Sequence, residues 1–171
     1  MKLLARAALI AGVLALSACA KTGADRFGNE TNLTGGGTAS GIIPGSANDP
    51  TSAAYFQQAV GDRVLFAVDQ STLSSDGRSV LDGQATWLMT NNDYTAVIEG
   101  HADEQGTREY NLALGARRAN AVQEYLISKG VSSARLRVVS YGKERPIEVC
   151  STESCYAKNR RAVTVLAAGM S

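Results

Sequence analysis

An arginine on the apolar stripe of a helix narrows what this chain can fold into more than any other feature. From Thr107 onward the sequence carries a helical repeat. Projected at about 100° per residue, Leu114, Ala119, Ala121, Val122, Tyr125 and Leu126 fall on one broad arc. Arg118 lies inside that arc, one turn after Leu114 and one turn before Val122, with Arg117 at its flank. An unpaired buried charge is very costly, so the fold must bring partners to the Arg118 guanidinium. The loop just before the helix supplies acids, Asp103 and Glu104. Two readings stand side by side. Arg118 grips a ligand carboxylate with its planar fork while Asp103 accepts from an ammonium, framing a site for a zwitterion. Alternatively, the two form a structural ion pair that ties loop to helix.

The flanking segments set the fold class. Residues 63–68 are apolar and β-prone and predict a first strand. Ser74 or Ser75 caps a helix over 76–90, whose inward face holds Val80, Leu81, Ala85, Leu88 and Trp87, with Gly83 interrupting the pattern. Asn91-Asn92-Asp93 is a turn. A second strand covers 94–99 and ends at Gly100, where a polar loop opens, a common place for a ligand to be held. The central helix covers 107–128 and Gly130 stops it. A third strand follows at 136–140, a short helix at 154–159 and a last strand at 161–167. The order β-α-β-α-β-β with two amphipathic helices predicts an α/β two-layer sandwich. Its mixed four-stranded sheet carries the helices on one face.

The first 18 residues have a basic start, Lys2 and Arg6, an apolar middle and the end Leu16-Ser17-Ala18-Cys19. This is a secretory signal layout, and its end resembles a bacterial lipobox. The resemblance implies that Cys19 becomes the first mature residue. It would carry a covalent diacylglycerol and an N-acyl chain, with no other cofactor. Several acyl chains make a durable anchor at about 0.8 kcal/mol per buried methylene. Position 20 is Ala rather than Asp, which points to the outer membrane and its periplasmic side. Residues 19–50 are rich in Gly, Ser, Thr, Ala and Asn and read as a flexible tether. As a Gly-rich coil it spans roughly 30 Å. A short helix near 51–59 opens the domain, residues 51–171. Net charge is +1, and removal of Lys2 and Arg6 leaves about −1. Nothing in that balance suggests a nucleic-acid partner.

The stretch from Gly100 to Leu126 resembles the signature of the OmpA-like peptidoglycan-binding domain family. Gly100, His101, Ala102 and Asp103 match the family's Gly-His-(Ala/Thr)-Asp, and Asn111, Leu114, Gly115, Arg118, Ala119, Val122 and Leu126 match its helix pattern. The match extends over about residues 60–168, and its closest branch is made of lipoproteins. Asn159-Arg160-Arg161-Ala162 matches the family's closing segment. The resemblance implies non-covalent binding of peptidoglycan at the diaminopimelate of its stem peptide. Arg118 would meet the carboxylate and Asp103 the ammonium. Val68, Asp69, Asn111, Leu114 and the backbone at Gly100, His101 and Ala102 would shape the pocket. Val68 stands where the family often has an aromatic. The resemblance further implies the Tol system, with TolB as a competing partner, and a tethering role at cell division.

Other chemistries fare less well. His101 is the only histidine, with no nucleophile motif beside it and no Cys/His cluster for a metal. No catalytic residue is therefore expected. Asp69 with Asp103 or Glu104 could be imagined as a hydrolase pair acting on the cell wall, and a structural lipoprotein with only protein partners is a further alternative. Arg160 and Arg161 either back the pocket or form surface ion pairs. Cys150 and Cys155 close a small loop, and an exported domain permits a disulfide between them.

Overall fold

The computed structural model describes residues 42–168, so the leader, Cys19 and most of the expected tether lie outside the described residues. A short turn of helix, α1 (Ala53–Tyr55), runs into a π-helical turn, Phe56–Gly61. The main elements then follow in order: β1 (Arg63–Leu65), α2 (Ser75–Thr90), β2 (Tyr94–His101), α3 (Arg108–Ser128), β3 (Leu136–Gly142), α4 (Glu153–Asn159) and β4 (Arg161–Ala168). Among the described residues, no helix is long and apolar enough to cross a membrane.

The caps explain the helix boundaries. Ser74 Oγ accepts from the Gly77 amide at 3.0 Å, and Thr107 Oγ1 accepts from the Tyr110 amide at 3.2 Å. Each satisfies one of the donors that a helix start leaves free. At the far end of α3, Gly130 takes a left-handed conformation with φ of 103°. Its amide reaches Ile127 and the Val131 amide reaches Leu126, a Schellman stop that requires a residue without a Cβ penalty.

The sheet is mixed, in the order β1-β4-β2-β3. β4 is antiparallel to both its neighbours, and β2 pairs with β3 in parallel. A parallel pair needs a crossover connection, which α3 provides. The register places Val64 opposite Ala162, and Ala162 opposite Gly100. These residues therefore share one face of the sheet. Both main helices pack on that face, because the nearest groups to Gly77 of α2 include Val64, and those to Gly115 of α3 include Gly100. Between them lie Leu81, Leu88, Ile98, Val122 and Leu126, all essentially inaccessible. The opposite face leaves Leu65 and Val165 partly open to solvent. The expected two-layer α/β sandwich is the one observed.

The first strand is shorter than the sequence suggests. After Leu65 the chain leaves the ladder: Phe66 still donates to the Arg160 carbonyl at 2.9 Å, but Asp69 turns into the left-handed region with φ of 55°. Aspartate tolerates that region better than a β-branched residue does. The same turn aims residues 67–70 toward α3. Two ties were not evident from periodicity. Trp87 Nε1 donates to the Pro50 carbonyl at 2.7 Å, fixing the domain's entry against α2. Arg135 donates to the carbonyls of Leu88, Asn91 and Tyr94, holding the turn between α2 and β2.

Gly100 and Gly115 set the depth of the helix on the sheet. A Cβ built at Gly100 would overlap the Gly115 carbonyl, and one at Gly115 would come within 2.5 Å of Ser140 Oγ. Only two glycines allow α3 to approach β2 this closely. Gly100→Ala is therefore expected to lower stability by about 3 kcal/mol or more. Gly83→Ala, whose Cβ would meet Val60 at an ordinary 3.5 Å on the exposed side of α2, should gain up to about 1 kcal/mol. Urea unfolding of both variants checks the contrast, and an unaffected Gly100→Ala protein would mean that the backbone approach is not tight.

Candidate functional site

Arg118 is wholly buried, as its place on the stripe requires, but its partners are backbone carbonyls rather than a carboxylate. Nε donates to Gln70 at 2.8 Å, Nη1 to His101 at 2.9 Å and Nη2 to Ala67 at 3.1 Å. The guanidinium also lies over the Phe66 ring, 5.2 Å from its centroid. Burial pushes its pKa down to about 10, with Asp103 and Asp69 opposing that shift and Arg160 reinforcing it. A guanidinium carries five N–H groups. Three are given to carbonyls, which leaves one on each terminal nitrogen, and Arg118 forms part of a cavity wall. That pair is suited to the two oxygens of a carboxylate.

Asp103 has a different partner from the one its sequence position suggests. Its Oδ2 pairs with Arg160 Nη1 at 3.1 Å, and its Oδ1 accepts from the Gln105 amide at 3.3 Å. The direct ion pair between Arg118 and Asp103 is not formed. Arg160 and Arg161 are both buried, so neither is the surface pair that the sequence left open. Arg160 also donates to the Phe66 carbonyl at 3.2 Å and to Glu153, whose carboxyl it holds below the usual range.

A cavity of about 280 Å³ sits at the end of β2, between the loop after β1, the Asp103 loop and the start of α3. Six of the residues singled out from sequence line it: Val68, Asp69, Asp103, Asn111, Leu114 and Arg118. Asn111 is buried and donates to the Gln105 carbonyl at 2.8 Å, while its Oδ1 has no partner among the described residues. Gly100, His101 and Ala102 stand behind the cavity instead. Gly100 packs on Gly115, and His101 contributes its carbonyl to Arg118. Gln105, Gly106 and Tyr110 line the cavity and were missed. Tyr110 lies two turns before Arg118 and one before Leu114, so following the helical repeat back from Arg118 would have found it. Its hydroxyl donates to Asp69, which raises its own pKa and joins two walls of the cavity.

The His101 ring occupies the other face of the sheet. It is buried beside Tyr141, with ring centroids 5.6 Å apart, and neither ring nitrogen has a hydrogen-bond partner among the described residues. Glu99 lies 3.7 Å from Nε2. Burial, with Arg161 and Arg145 nearby, pushes its pKa down to about 4. Cys150 and Cys155 are joined in a disulfide, with Cα atoms 6.0 Å apart.

The sequence and the fold of the chain resemble those of known proteins. Residues 65–160, more than half of the chain, match the model of the OmpA family. A Mesorhizobium japonicum protein named peptidoglycan-associated lipoprotein is 49% identical over 159 residues, covering 93% of this chain and 89% of that protein. The crystal structure of the peptidoglycan-associated lipoprotein from Burkholderia pseudomallei superposes with a TM-score of 0.63 at 36% identity, over 71% of this chain and 98% of that one. The C-terminal domain of Helicobacter pylori MotB gives a TM-score of 0.58 at 22% identity, over 62% of this chain and 84% of that chain, a likeness of fold.

The buried His101 makes stability depend on pH. Its folded pKa of about 4 lies below the ordinary 6.5, so the unfolded chain takes the proton first as pH falls. The contribution is complete above about pH 6.5 and is lost on descent toward about pH 4, by about 2 to 3 kcal/mol. Urea unfolding at about pH 7 and about pH 4.5 should show that loss in the wild type and a smaller one in His101→Leu. Equal losses in the two proteins would rule out the ring as the cause.

Proposed function

This chain belongs to the OmpA family, and on that premise we propose that its domain binds peptidoglycan non-covalently. It would hold the free amino-acid end of a stem-peptide diaminopimelate in the Asp69–Asp103–Arg118 cavity. The observation that carries the reading is the charge pattern of one cavity: a buried guanidinium with two unspent N–H groups, and two carboxylates. A free amino-acid end bears one carboxylate and one ammonium. Arg118 is pre-organised by three carbonyls to receive the first, and Asp69 and Asp103 accept from the second. Val68 and Leu114 bound the same space with apolar surface.

The relatives named above are peptidoglycan-associated lipoproteins rather than enzymes. We read this chain likewise as a binding protein. One of the two cavity acids, Asp103, is already engaged by Arg160. That suits a fixed acceptor better than a hydrolytic pair. Lipid on Cys19 would hold the chain in the outer membrane while the domain grips the wall in the periplasm. Through the Tol system, with TolB competing for an overlapping surface, the tether would act in envelope constriction at division.

Arg118 is a poor probe of this reading, since its removal orphans three carbonyls. The acids are cleaner. Asp69 is exposed, and Asp103→Asn keeps an acceptor for Arg160. In a sacculus pull-down, both Asp69→Asn and Asp103→Asn should bind roughly 30-fold or more weakly than wild type. Circular dichroism would confirm that each is folded. Equal pelleting of all three folded proteins would show that the acids are scaffold and not ligand groups. For the anchor, Cys19→Ala should move the protein from the membrane fraction to the soluble one, and retention in membranes would count against lipidation there.

A further inference from the structure

Behind the Asp103 loop lies a second layer of charge that the binding reading does not use. The disulfide between Cys150 and Cys155 closes a ring containing Ser151, Thr152, Glu153 and Ser154. Glu153 engages both terminal nitrogens of Arg160, with Nη1 3.4 Å from Oε2 and Nη2 on Oε1. The same Nη1 is the partner of Asp103 Oδ2. Two more ties run from the ring and its helix to the neighbouring residue of that loop. Ser151 Oγ lies 3.4 Å and the Tyr156 hydroxyl 2.9 Å from Glu104 Oε1. The ring is thus joined to the cavity loop through Arg160 and through Glu104.

The rest of the segment is held from its far side, where Asn159 accepts from the Ile147 and Glu148 amides and Arg161 donates to the Arg145 carbonyl, contacts that do not reach the start of α4. Residues 143–152 form no regular element, and Val149 is 86% exposed. α4 has only seven residues, and the side chain of Thr152 at its start makes no capping hydrogen bond. A helix that short does not persist on its own. The crosslink joins Cys150, outside the helix, to Cys155, a buried residue inside it. It therefore fixes the start of α4, and with it Glu153. The charge balance gives that placement a consequence. Arg160 carries one positive charge and faces two carboxylates. When Glu153 takes part of that attraction, the Asp103 charge is less fully spent on Arg160 and can also accept from an ammonium. Without Glu153, Asp103 becomes the main counter-ion of a buried guanidinium and is drawn toward it.

We propose that the Cys150–Cys155 disulfide and Glu153 position the cavity's ammonium acceptor, so that ligand affinity depends on the oxidation state of the cysteine pair. The inference rests on the zwitterion reading of the Asp69–Asp103–Arg118 cavity. In the redox step the two thiols lose two protons and two electrons to form the S–S bond. A disulfide-bearing oxidant accepts them and leaves as a dithiol. A dithiol reductant reverses the exchange. Glu153 and the cysteines are positioning residues, since all act through Arg160 and the Asp103 loop.

The test is calorimetric titration of the full chain in detergent with free meso-diaminopimelic acid, the redox state being checked by mass spectrometry. Reduction by dithiothreitol, and separately Glu153→Gln in the oxidised protein, should each weaken binding roughly tenfold. Circular dichroism should show each protein folded at the temperature of the titration. Glu148→Gln, which removes the partner of Lys158 elsewhere on the segment, should bind as wild type does. The double variant Asp103→Asn/Glu153→Gln should bind no more weakly than Asp103→Asn alone, because Glu153 acts through Asp103. A purely structural role would give additive losses and overturns the proposal. Affinities within about twofold for oxidised, reduced and Glu153→Gln protein also overturn it, while leaving the cavity reading intact. If reduction unfolds the chain, Glu153→Gln with its largely exposed side chain still decides. Failure of oxidised wild type to bind the amino acid would remove the cavity reading and this proposal together.

Discussion

The site depends on three hydrogen bonds from one buried guanidinium to backbone carbonyls. Arg118 ties α3 to Ala67 and Gln70 in the loop after β1, and to His101 at the end of β2. These are segments about 50 residues and 17 residues away in sequence, which the fold alone brings together. A neutral side chain of the same length could fill the space but could not satisfy three acceptors in one plane. The arrangement keeps the charge unneutralised by any directly hydrogen-bonded carboxylate. Burial lowers the pKa only to about 10, so the group remains a cation at neutral pH. The cavity is thus bounded by a buried cation that backbone dipoles hold in place.

The close approach of Gly100 and Gly115 is the geometric condition for this. With α3 pressed onto β2, the Arg118 side chain, one turn beyond Gly115, reaches the end of the strand. There the ladder is irregular between Gly100 and His101, and the Asp103 loop departs over the cavity. Each of the two acids has its own restraint: Asp69 meets the Tyr110 hydroxyl, and Asp103 meets Arg160. The cavity combines a rigid cationic floor with acceptors carried on loops, and the loops are held by partners from α3 and from the segment before β4.

Much of the fold was legible before any coordinates. The 3.6-residue repeat of residues 107–128, the Thr107 start and the Gly130 stop produced α3 almost to the residue, because caps and apolar spacing are local signals. The alternation of strand and helix gave the layered class for the same reason. The first strand is three residues shorter than its apolar run, since apolar character continues through Val68 while the ladder ends at Leu65. Apolar residues there face a helix and a cavity rather than a strand. A tyrosine in a first helical turn, such as Tyr110, is ordinary until its hydroxyl meets Asp69.

The sequence by itself determined that Arg118 must be buried and satisfied, which residues form the stripe around it, and that Asp103 stands in the loop before its helix. Tertiary structure alone decided who satisfies whom. Arg118 went to carbonyls and Asp103 to Arg160, 57 residues further along the chain. The physical reason lies in the range of the forces. Helix periodicity and capping act over a few residues and are written in the local order of side chains. The partner of a buried charge is chosen by whichever groups the packed sheet and helices bring within about 3 Å, and that choice exists only once α3 has closed on β2 and β4 has carried Arg160 into the core.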